Sequence, residues 1–255
     1  TGNEGPHEEI AMISKAIIKD IQNLGLQKVR DEQGLFVAEG VKWMEELIRF
    51  APERIRCIYA LAPWIEANRS ALKSIAVVEV DEILLARLSQ LQTPNQAIAV
   101  VHQFLHEPQP VESGLTLILD TIQDPGNLGT LIRTADWFGV TQIICSPDSV
   151  DAYNPKVVQA SMGSLVRVPV SQTSLFEWLH AQSEVPKWAA VLAGKNYSEI
   201  KPNGVGVLMM GNESKGLSKE LLDMATDHVT IPRRGGAESL NVAVATGILL
   251  SSLCR

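Results

Sequence analysis

The stretch that decides the fold is LTLILDTIQDPGNLGTLIRTADWFG, at residues 115–139. It begins with a nearly continuous apolar run, 115–120, which is the pattern of a parallel strand buried on both faces. The turn formers DPGN follow at 124–127, and Asn127 or a neighbour is suited to cap a helix. Gly139 ends the helical pattern, as glycine commonly does. A buried strand, a turn and a helix in this order predict one unit of an α/β fold.

The same alternation of strands and helices continues toward the C terminus. Strand patterns recur at 141–146, 188–193, 205–211 and 228–232, and helix patterns near 154–162, 173–181, after Ser218 and over 239–253. Toward the N terminus the patterns are shorter. They predict helices over 13–24, 39–50, 63–72 and 82–91, and strands over 55–61, 75–80 and 97–104.

The segment HEPQPVESG, at 106–114, has two prolines and no apolar period, which indicates a linker. We therefore expect two α/β domains, at 12–105 and 115–255. Residues 1–11 are polar and patternless, and we interpret them as a tag remnant or a disordered end.

Composition excludes several classes of protein. Of the 255 residues, 45% are hydrophobic and 20% charged, which is typical of a packed globular chain. The net charge of −7 argues against general coating of nucleic acid. No run of about 18 apolar residues predicts a membrane span. The three cysteines are far apart and lack metal or disulfide spacing, which indicates a reducing compartment, the cytoplasm.

Familiar catalytic patterns are missing from the sequence. There is no dinucleotide fingerprint after a strand, no phosphate-binding loop and no nucleophile elbow. The five histidines are scattered and show no metal-ligand spacing, so we expect no metal.

Three segments with unusual composition follow predicted strands, at 119–135, 209–218 and 231–247. Chemistry in an open α/β sheet gathers at the carboxyl ends of strands. Taken singly, each has a plain structural interpretation: a surface turn with a solvated arginine, a tight turn before a helix, and a capped helix. In the third segment, the pattern places Ser239 and Asn241 in the first turn of the last helix.

Taken together and in this order, the segments resemble the three motifs of the SpoU/TrmH family of RNA ribose 2′-O-methyltransferases. The matching residues are Asp124-Pro125, Asn127, Gly129, Arg133, Ala135 and Gly139; Gly211-Asn212-Glu213 and Gly216-Leu217-Ser218; and Ile231-Pro232 and Ser239-Leu240-Asn241-Val242-Ala243. The N-terminal half, through 14–24, 34–46 and 93–101, resembles the small substrate-binding domain that many members carry.

The resemblance implies a fold that pattern analysis does not reach. It implies a C-terminal trefoil-knotted α/β (SPOUT) domain, an exception to the rule against knots. It also implies a homodimer with the active site near the subunit interface, and S-adenosylmethionine bound by the knotted loops. The residues it assigns to the cofactor are Leu192, Ala193, Gly194, Gly211, Ile231 and Leu240.

The same resemblance assigns the catalytic residues, which are Arg133, Asn127, Glu213, Ser239 and Asn241. Arg133 corresponds to the family arginine proposed to activate the ribose hydroxyl. An arginine is normally protonated, so it is better suited to stabilising the forming alkoxide than to accepting the proton as a base. Methyl transfer from a sulfonium needs no Lewis acid, which agrees with the missing metal pattern.

Basic residues indicate where RNA binds despite the acidic total. Residues 13–30 carry a local charge of +3, and a second basic spot lies beside the third motif. The RNA-binding candidates are Lys15, Lys19, Lys28, Arg30, Arg233 and Arg234. The two spots favour a structured RNA read by shape and a few placed cations.

Two departures from the family pattern leave questions open. Arg233 and Arg234 stand where many relatives have an apolar residue after the proline, and they either contact phosphate, pair with Glu238 or lie in solvent. Gln159 stands where relatives often carry arginine.

The substrate-binding domain favours ribosomal over transfer RNA as the target. The alternatives are a transfer RNA 2′-O-methyltransferase, an RNA-binding factor without catalysis, and, less favoured, a nucleotide-dependent oxidoreductase.

Overall fold

A computed structural model describes residues 14–182 and 184–254, and the interpretation of residues 1–11 lies outside them. The chain divides into two compact units, one up to Gln103 and one from Phe104. Each is described separately. Among the described residues, no helix is long and apolar enough to cross a membrane.

In its described residues, the first unit has a four-stranded sheet and five α-helices. The sheet order is β1-β4-β2-β3, in which β4 runs antiparallel to both of its neighbours and β2 pairs with β3 in parallel. The strands are β1 Leu35–Glu39, β2 Ile55–Ala60, β3 Val77–Glu79 and β4 Ala97–His102; the helices are α1 Lys15–Asn23, α2 Gln27–Gln33, α3 Val41–Phe50, α4 Ala62–Asn68 and α5 Glu82–Leu88.

The predicted helix over 39–50 is wrong at its start. Glu39 is the last residue of β1, and its buried carboxylate accepts hydrogen bonds from Ser89 Oγ and the Gln90 amide, each at 2.6 Å. Gly40 then takes a φ of 103°, a conformation that favours glycine, and α3 begins only at Val41. Burial raises the pKa of the Glu39 carboxyl, and its two hydrogen bonds hold the turn after α5.

The second unit is a six-stranded sheet in which every pairing is parallel. Its order is β10-β8-β9-β5-β6-β7. The strands are β5 Leu115–Leu119, β6 Gln142–Cys145, β7 Val170–Gln172, β8 Lys187–Asn196, β9 Gly206–Met210 and β10 Asp227–Thr230; the helices are α6 Pro125–Phe138, α7 Pro155–Ser161, α8 Leu175–His180, α9 Lys219–Asp223 and α10 Val242–Leu253.

The prediction of a strand buried on both faces is confirmed for β5, all five residues of which are buried. β5 lies between β6 and β9, so both of its backbone edges are paired. The chain order reverses here: β6 and β7 lie on one side of β5, and β8 to β10 on the other. In open parallel sheets, ligands bind outside the carboxyl ends of the strands at such a reversal.

A bulge interrupts β8. His228 of β10 pairs with Ala189, but the next residue, Val229, pairs with Lys195. Residues 190–194 therefore leave the ladder between β8 and β10, at the carboxyl end of the sheet.

Candidate active site

Three side chains from the three sequence segments are joined by hydrogen bonds at the carboxyl edge of the second sheet. Asn127 Nδ2 donates a short hydrogen bond to Glu213 Oε1. Asn241 Nδ2 donates to Asn127 Oδ1 at 2.9 Å. We call Glu213, Asn127 and Asn241 the polar triad. Because Asn127 uses its donor on Glu213 and its acceptor on Asn241, the orientation of its amide is fixed from both sides.

Asn127 is available for the triad because another residue caps α6. Asp124 is the N-cap, and its Oδ1 accepts from the backbone amide of Asn127 at 2.8 Å. Gly129, two residues after Asn127, faces α7: a Cβ there would lie 2.4 Å from the Ala160 Cβ. This glycine therefore permits close packing of two helices within the unit.

Glu213 is carried by a compact turn after β9. Asn212 and Gly216 exchange both backbone hydrogen bonds, at 3.1 and 2.8 Å. The Asn212 Oδ1 also accepts from the amide of Ser214 at 2.9 Å. A Cβ on Gly211 would lie 2.2 Å from the carbonyl carbon of Gly216, so the base of the turn admits only glycine at that position.

The third segment differs from its prediction. α10 begins at Val242, and Asn241 is its N-cap rather than a first-turn residue. The Asn241 Oδ1 accepts from the amides of Ala243 at 2.9 Å and Val244 at 3.3 Å, while its Nδ2 serves the triad. Ser239 lies in the exposed loop before the helix and has no hydrogen-bond partner among the described residues.

Arg133 is not part of the triad. It lies on α6, is exposed, and makes no hydrogen bond or ion pair with any described residue. Its guanidinium is therefore a solvated cation two turns along the helix that carries Asn127.

The residues assigned to the cofactor lie mainly on two features of the same edge. Leu192, Ala193 and Gly194 form most of the bulge in β8, and Leu192 is 80% exposed. The Thr230 hydroxyl donates to the Leu192 carbonyl at 3.0 Å, which ties the bulge to the end of β10 just before Ile231.

Two further cofactor candidates flank these features. Gly211 follows β9, whose Met209 pairs with Ala189 just before the bulge. Leu240 is 46% exposed and immediately precedes the triad residue Asn241.

The RNA-binding assignment of Arg30 is corrected by its burial. Arg30 is 2% exposed, and its Nη1 donates to the carbonyls of Leu24 and Gly25, each at 2.9 Å. It holds α2 to the end of α1 and presents no charge to a ligand. The other three basic candidates of this unit, Lys15, Lys19 and Lys28, are exposed.

The second basic spot is exposed as well. Arg233 donates to the Ala237 carbonyl at 3.3 Å, within its own loop. Within the described residues, neither Arg233 nor Arg234 forms an ion pair with Glu238. Gln159, on α7, is also exposed.

Two other kinds of site find no support in the described part of the chain. No group of three or more His, Cys, Asp or Glu side chains is placed to hold a metal ion. Burial raises the pKa of the Cys145 thiol, at the end of β6, to about 12, which keeps it protonated at neutral pH.

A model of the SpoU rRNA methylase family matches residues 114–251, the part that carries the triad. The chain belongs to that family. A model of the MRM3-like substrate binding domain matches residues 15–99.

Individual relatives agree over nearly the whole chain. The RlmP 23S rRNA guanosine 2′-O-methyltransferase of Bacillus subtilis is 31% identical over 92% of this chain and 95% of its own. A TrmH-family RNA methyltransferase structure from Porphyromonas gingivalis has a TM-score of 0.83 and 38% identity, covering 95% of this chain and 98% of that one. An rRNA methyltransferase structure from Sinorhizobium meliloti, described with AdoMet bound, has a TM-score of 0.83 and 32% identity, covering 94% of each chain.

Proposed function

We propose that this protein transfers a methyl group from S-adenosylmethionine to a ribose 2′-hydroxyl in structured ribosomal RNA. The observation that carries the proposal is the polar triad, which joins one residue from each of the three family segments. Full-length relatives named as rRNA methyltransferases support the choice of ribosomal over transfer RNA.

The cofactor residues have the right chemistry for S-adenosylmethionine. Exposed apolar side chains at Leu192 and Leu240 suit the faces of an adenine ring. Gly194 keeps the bulge close to β10, because a Cβ there would lie 2.6 Å from the His228 carbonyl oxygen. When bound, the cofactor supplies an electrophilic methyl group on a sulfonium centre.

The triad orients the ribose in this mechanism. A 2′-hydroxyl is a poor nucleophile, so it gains most from being held in line with the methyl group. Glu213 fixes the amide of Asn127, and Asn127 in turn fixes that of Asn241. The three side chains therefore form a preorganised polar frame that need not rearrange during the reaction. Ser239, exposed two residues before Asn241, adds a hydroxyl that can hydrogen-bond to RNA.

Arg133 acts on the charge that develops at the 2′ oxygen. That oxygen loses its proton as it bonds to the methyl carbon, and the proton passes to solvent or to an RNA phosphate. A guanidinium stays protonated under these conditions, so Arg133 stabilises the oxygen as an alkoxide forms. Its freedom from ion pairs within the described residues leaves the cation available for RNA.

We also propose that the protein is a homodimer through the second unit. Trp137 of α6 is 85% exposed and Val244 of α10 is 53% exposed, and these helices pack together. Two exposed apolar side chains on adjacent helices are suited to a subunit interface. Replacement of Trp137 by Glu should shift the protein from dimer to monomer in sedimentation velocity; a monomeric wild type would refute the proposal.

The trefoil knot belongs to the same proposal. It is supported by the strand order, in which β9 is inserted between β8 and β5 while β10 is added outside β8. The test is crystallographic. The proposal is refuted if the traced backbone of the second unit does not pass through a loop of its own chain.

The decisive experiment maps 2′-O-methylated nucleotides in ribosomal RNA from cells with and without the gene. We expect one methylated position to disappear and to return when the wild-type gene is restored. A gene carrying Arg133→Ala should fail to restore it, although the variant folds and binds the cofactor. The function is refuted if every 2′-O-methylated position persists in cells that lack the gene. A cytoplasmic location is part of the proposal, and cell fractionation tests it.

A further inference from the structure

A buried carboxylate lies next to the triad but outside it. Asp120 is the residue after β5, and its amide donates to the Met210 carbonyl of β9 at 2.9 Å. Its side chain forms no ion pair with any described residue. Instead, Oδ2 accepts from the Ser218 amide at 2.9 Å and Oδ1 accepts from the Thr121 hydroxyl at 3.1 Å.

Thr121 has a backbone conformation that few β-branched residues adopt. Its φ is 58°, in the left-handed region. Its amide donates to Ser146 Oγ at 2.8 Å, and its carbonyl accepts from Asn212 Nδ2 at 2.9 Å. The unusual φ is thus held by hydrogen bonds on both sides of the residue.

Asp120 and Thr121 form hydrogen bonds with the two ends of the turn that carries Glu213. The Thr121 carbonyl accepts from Asn212, at the start of the turn, and the Asp120 carboxylate accepts from Ser218, at its end. We call these four residues the clasp. Glu213 lies between these two attachment points and accepts a hydrogen bond from Asn127 on α6.

We propose that Asp120 is a positioning residue for methyl transfer: through the clasp it sets the place of Glu213 against Asn127. The inference rests on the proposed function. The Asp120 side chain is itself buried, so its oxygen is held in place to accept from the partly exposed Ser218 amide. Without this hydrogen bond, the turn is attached to residues 120–121 only through Asn212, and Glu213 is no longer aligned with Asn127.

The test compares three substitutions in the full chain. Asp120→Ala removes both acceptors. Asp120→Asn keeps an oxygen for the Ser218 amide. Ser218→Pro removes the donor while leaving Asp120 in place, and the Ser218 φ of −61° already suits proline. The matched control is Gln182→Ala, which removes a buried acceptor for the Val111 amide at the opposite, amino edge of the sheet.

The first measurement is single-turnover transfer of labelled methyl from S-adenosylmethionine to 23S rRNA extracted from cells lacking the gene. We expect Asp120→Ala and Ser218→Pro to lower the rate at least about tenfold, and Asp120→Asn and Gln182→Ala to stay within about threefold of wild type. A rate that Asp120→Ala leaves unchanged, or that the control lowers equally, would overturn the inference.

A double-mutant cycle separates positioning from general structural damage. If Asp120 acts through Glu213, Asp120→Ala should cost less than about threefold in a Glu213→Ala background, where the acceptor for Asn127 is already gone. An equal loss in both backgrounds would contradict the proposed route.

Failure of the proposed function is distinguishable from failure of this inference. If the wild type methylates no RNA, the function is wrong, and hydrogen exchange of residues 211–218 then decides the clasp alone. Faster exchange in Asp120→Ala than in Asp120→Asn supports the clasp, and equal exchange refutes it.

Discussion

Asn241 caps α10 with its side-chain oxygen and joins the triad with its side-chain nitrogen, and a single substitution separates these two roles. Its Oδ1 caps α10 through the amides of Ala243 and Val244, and its Nδ2 donates to Asn127 at 2.9 Å. The substitution Asn241→Asp keeps the capping oxygen but replaces the donor with a second acceptor. Asn and Asp cap helices about equally well, so we expect the free energy of unfolding to fall only by the lost bond to Asn127, about 1 kcal/mol.

The effect on methyl transfer should be larger than the loss of stability. The lost hydrogen bond contributes about 1 kcal/mol, and two oxygens are then left facing each other in its place. We expect a total effect of about 1.5–3 kcal/mol on the barrier, or roughly a 10- to 100-fold slower reaction. Asn241→Ala should lose this and also about 1 kcal/mol of stability with the cap.

Thermal unfolding and single-turnover methyl transfer, measured on the same preparations, check these values. The control is Thr246→Ala in the same helix, where a buried hydroxyl donates to the Val242 carbonyl at 2.7 Å. It should cost about 1 kcal/mol of stability and little activity. The reasoning fails if Asn241→Asp is fully active, or if the control slows the reaction as much.

Three further predictions concern other parts of the molecule. Gly211→Ala places a Cβ 2.2 Å from a Gly216 backbone atom; calorimetry should show weakened S-adenosylmethionine binding and thermal unfolding a loss of about 2–3 kcal/mol. Arg30→Met should lower the free energy of unfolding by about 2–3 kcal/mol in urea titrations, since it removes two hydrogen bonds of a buried side chain, whereas unchanged stability with weaker RNA binding would restore its original assignment. Burial tends to raise the pKa of Asp136, but hydrogen bonds from Arg167 and Ser164 and the charge of Arg167 outweigh it and lower the pKa. The Asp136–Arg167 pair should therefore add about 1 kcal/mol of stability above about pH 5 and lose it progressively below about pH 4. A stability difference from Asp136→Asn that does not shrink in acid would contradict this.

The sequence predicted the triad as separate residues but not as a connected set. Asn127, Glu213 and Asn241 each follow a predicted strand, and parallel strands end at one edge, so their proximity was foreseeable. The contacts depend on β9 lying beside β5, and strand order is a tertiary property that no local pattern encodes. Asp120 was missed because it looks like the last residue of an apolar strand.

The errors in the predicted elements have local causes. The three-residue strand β7 is too short to show a period. The predicted helix begins two residues early, at Glu39, because glutamate is a good helix former in water, whereas burial of Glu39 against the turn after α5 overrides that preference. The register jump at residues 190–194 is marked in the sequence by Gly194, but a single glycine does not show how many residues leave the ladder.

That bulge is not a connecting loop: it is bounded on both sides by residues that remain paired with β10. A surface loop that became ordered only on ligand binding would lose about 1 kcal/mol of conformational entropy for each residue it fixed. Five such residues would weaken binding by about 5 kcal/mol, or roughly three to four orders of magnitude in affinity. A segment anchored in the sheet at both ends has already lost this conformational entropy during folding. A ligand that binds there therefore meets a preorganised surface.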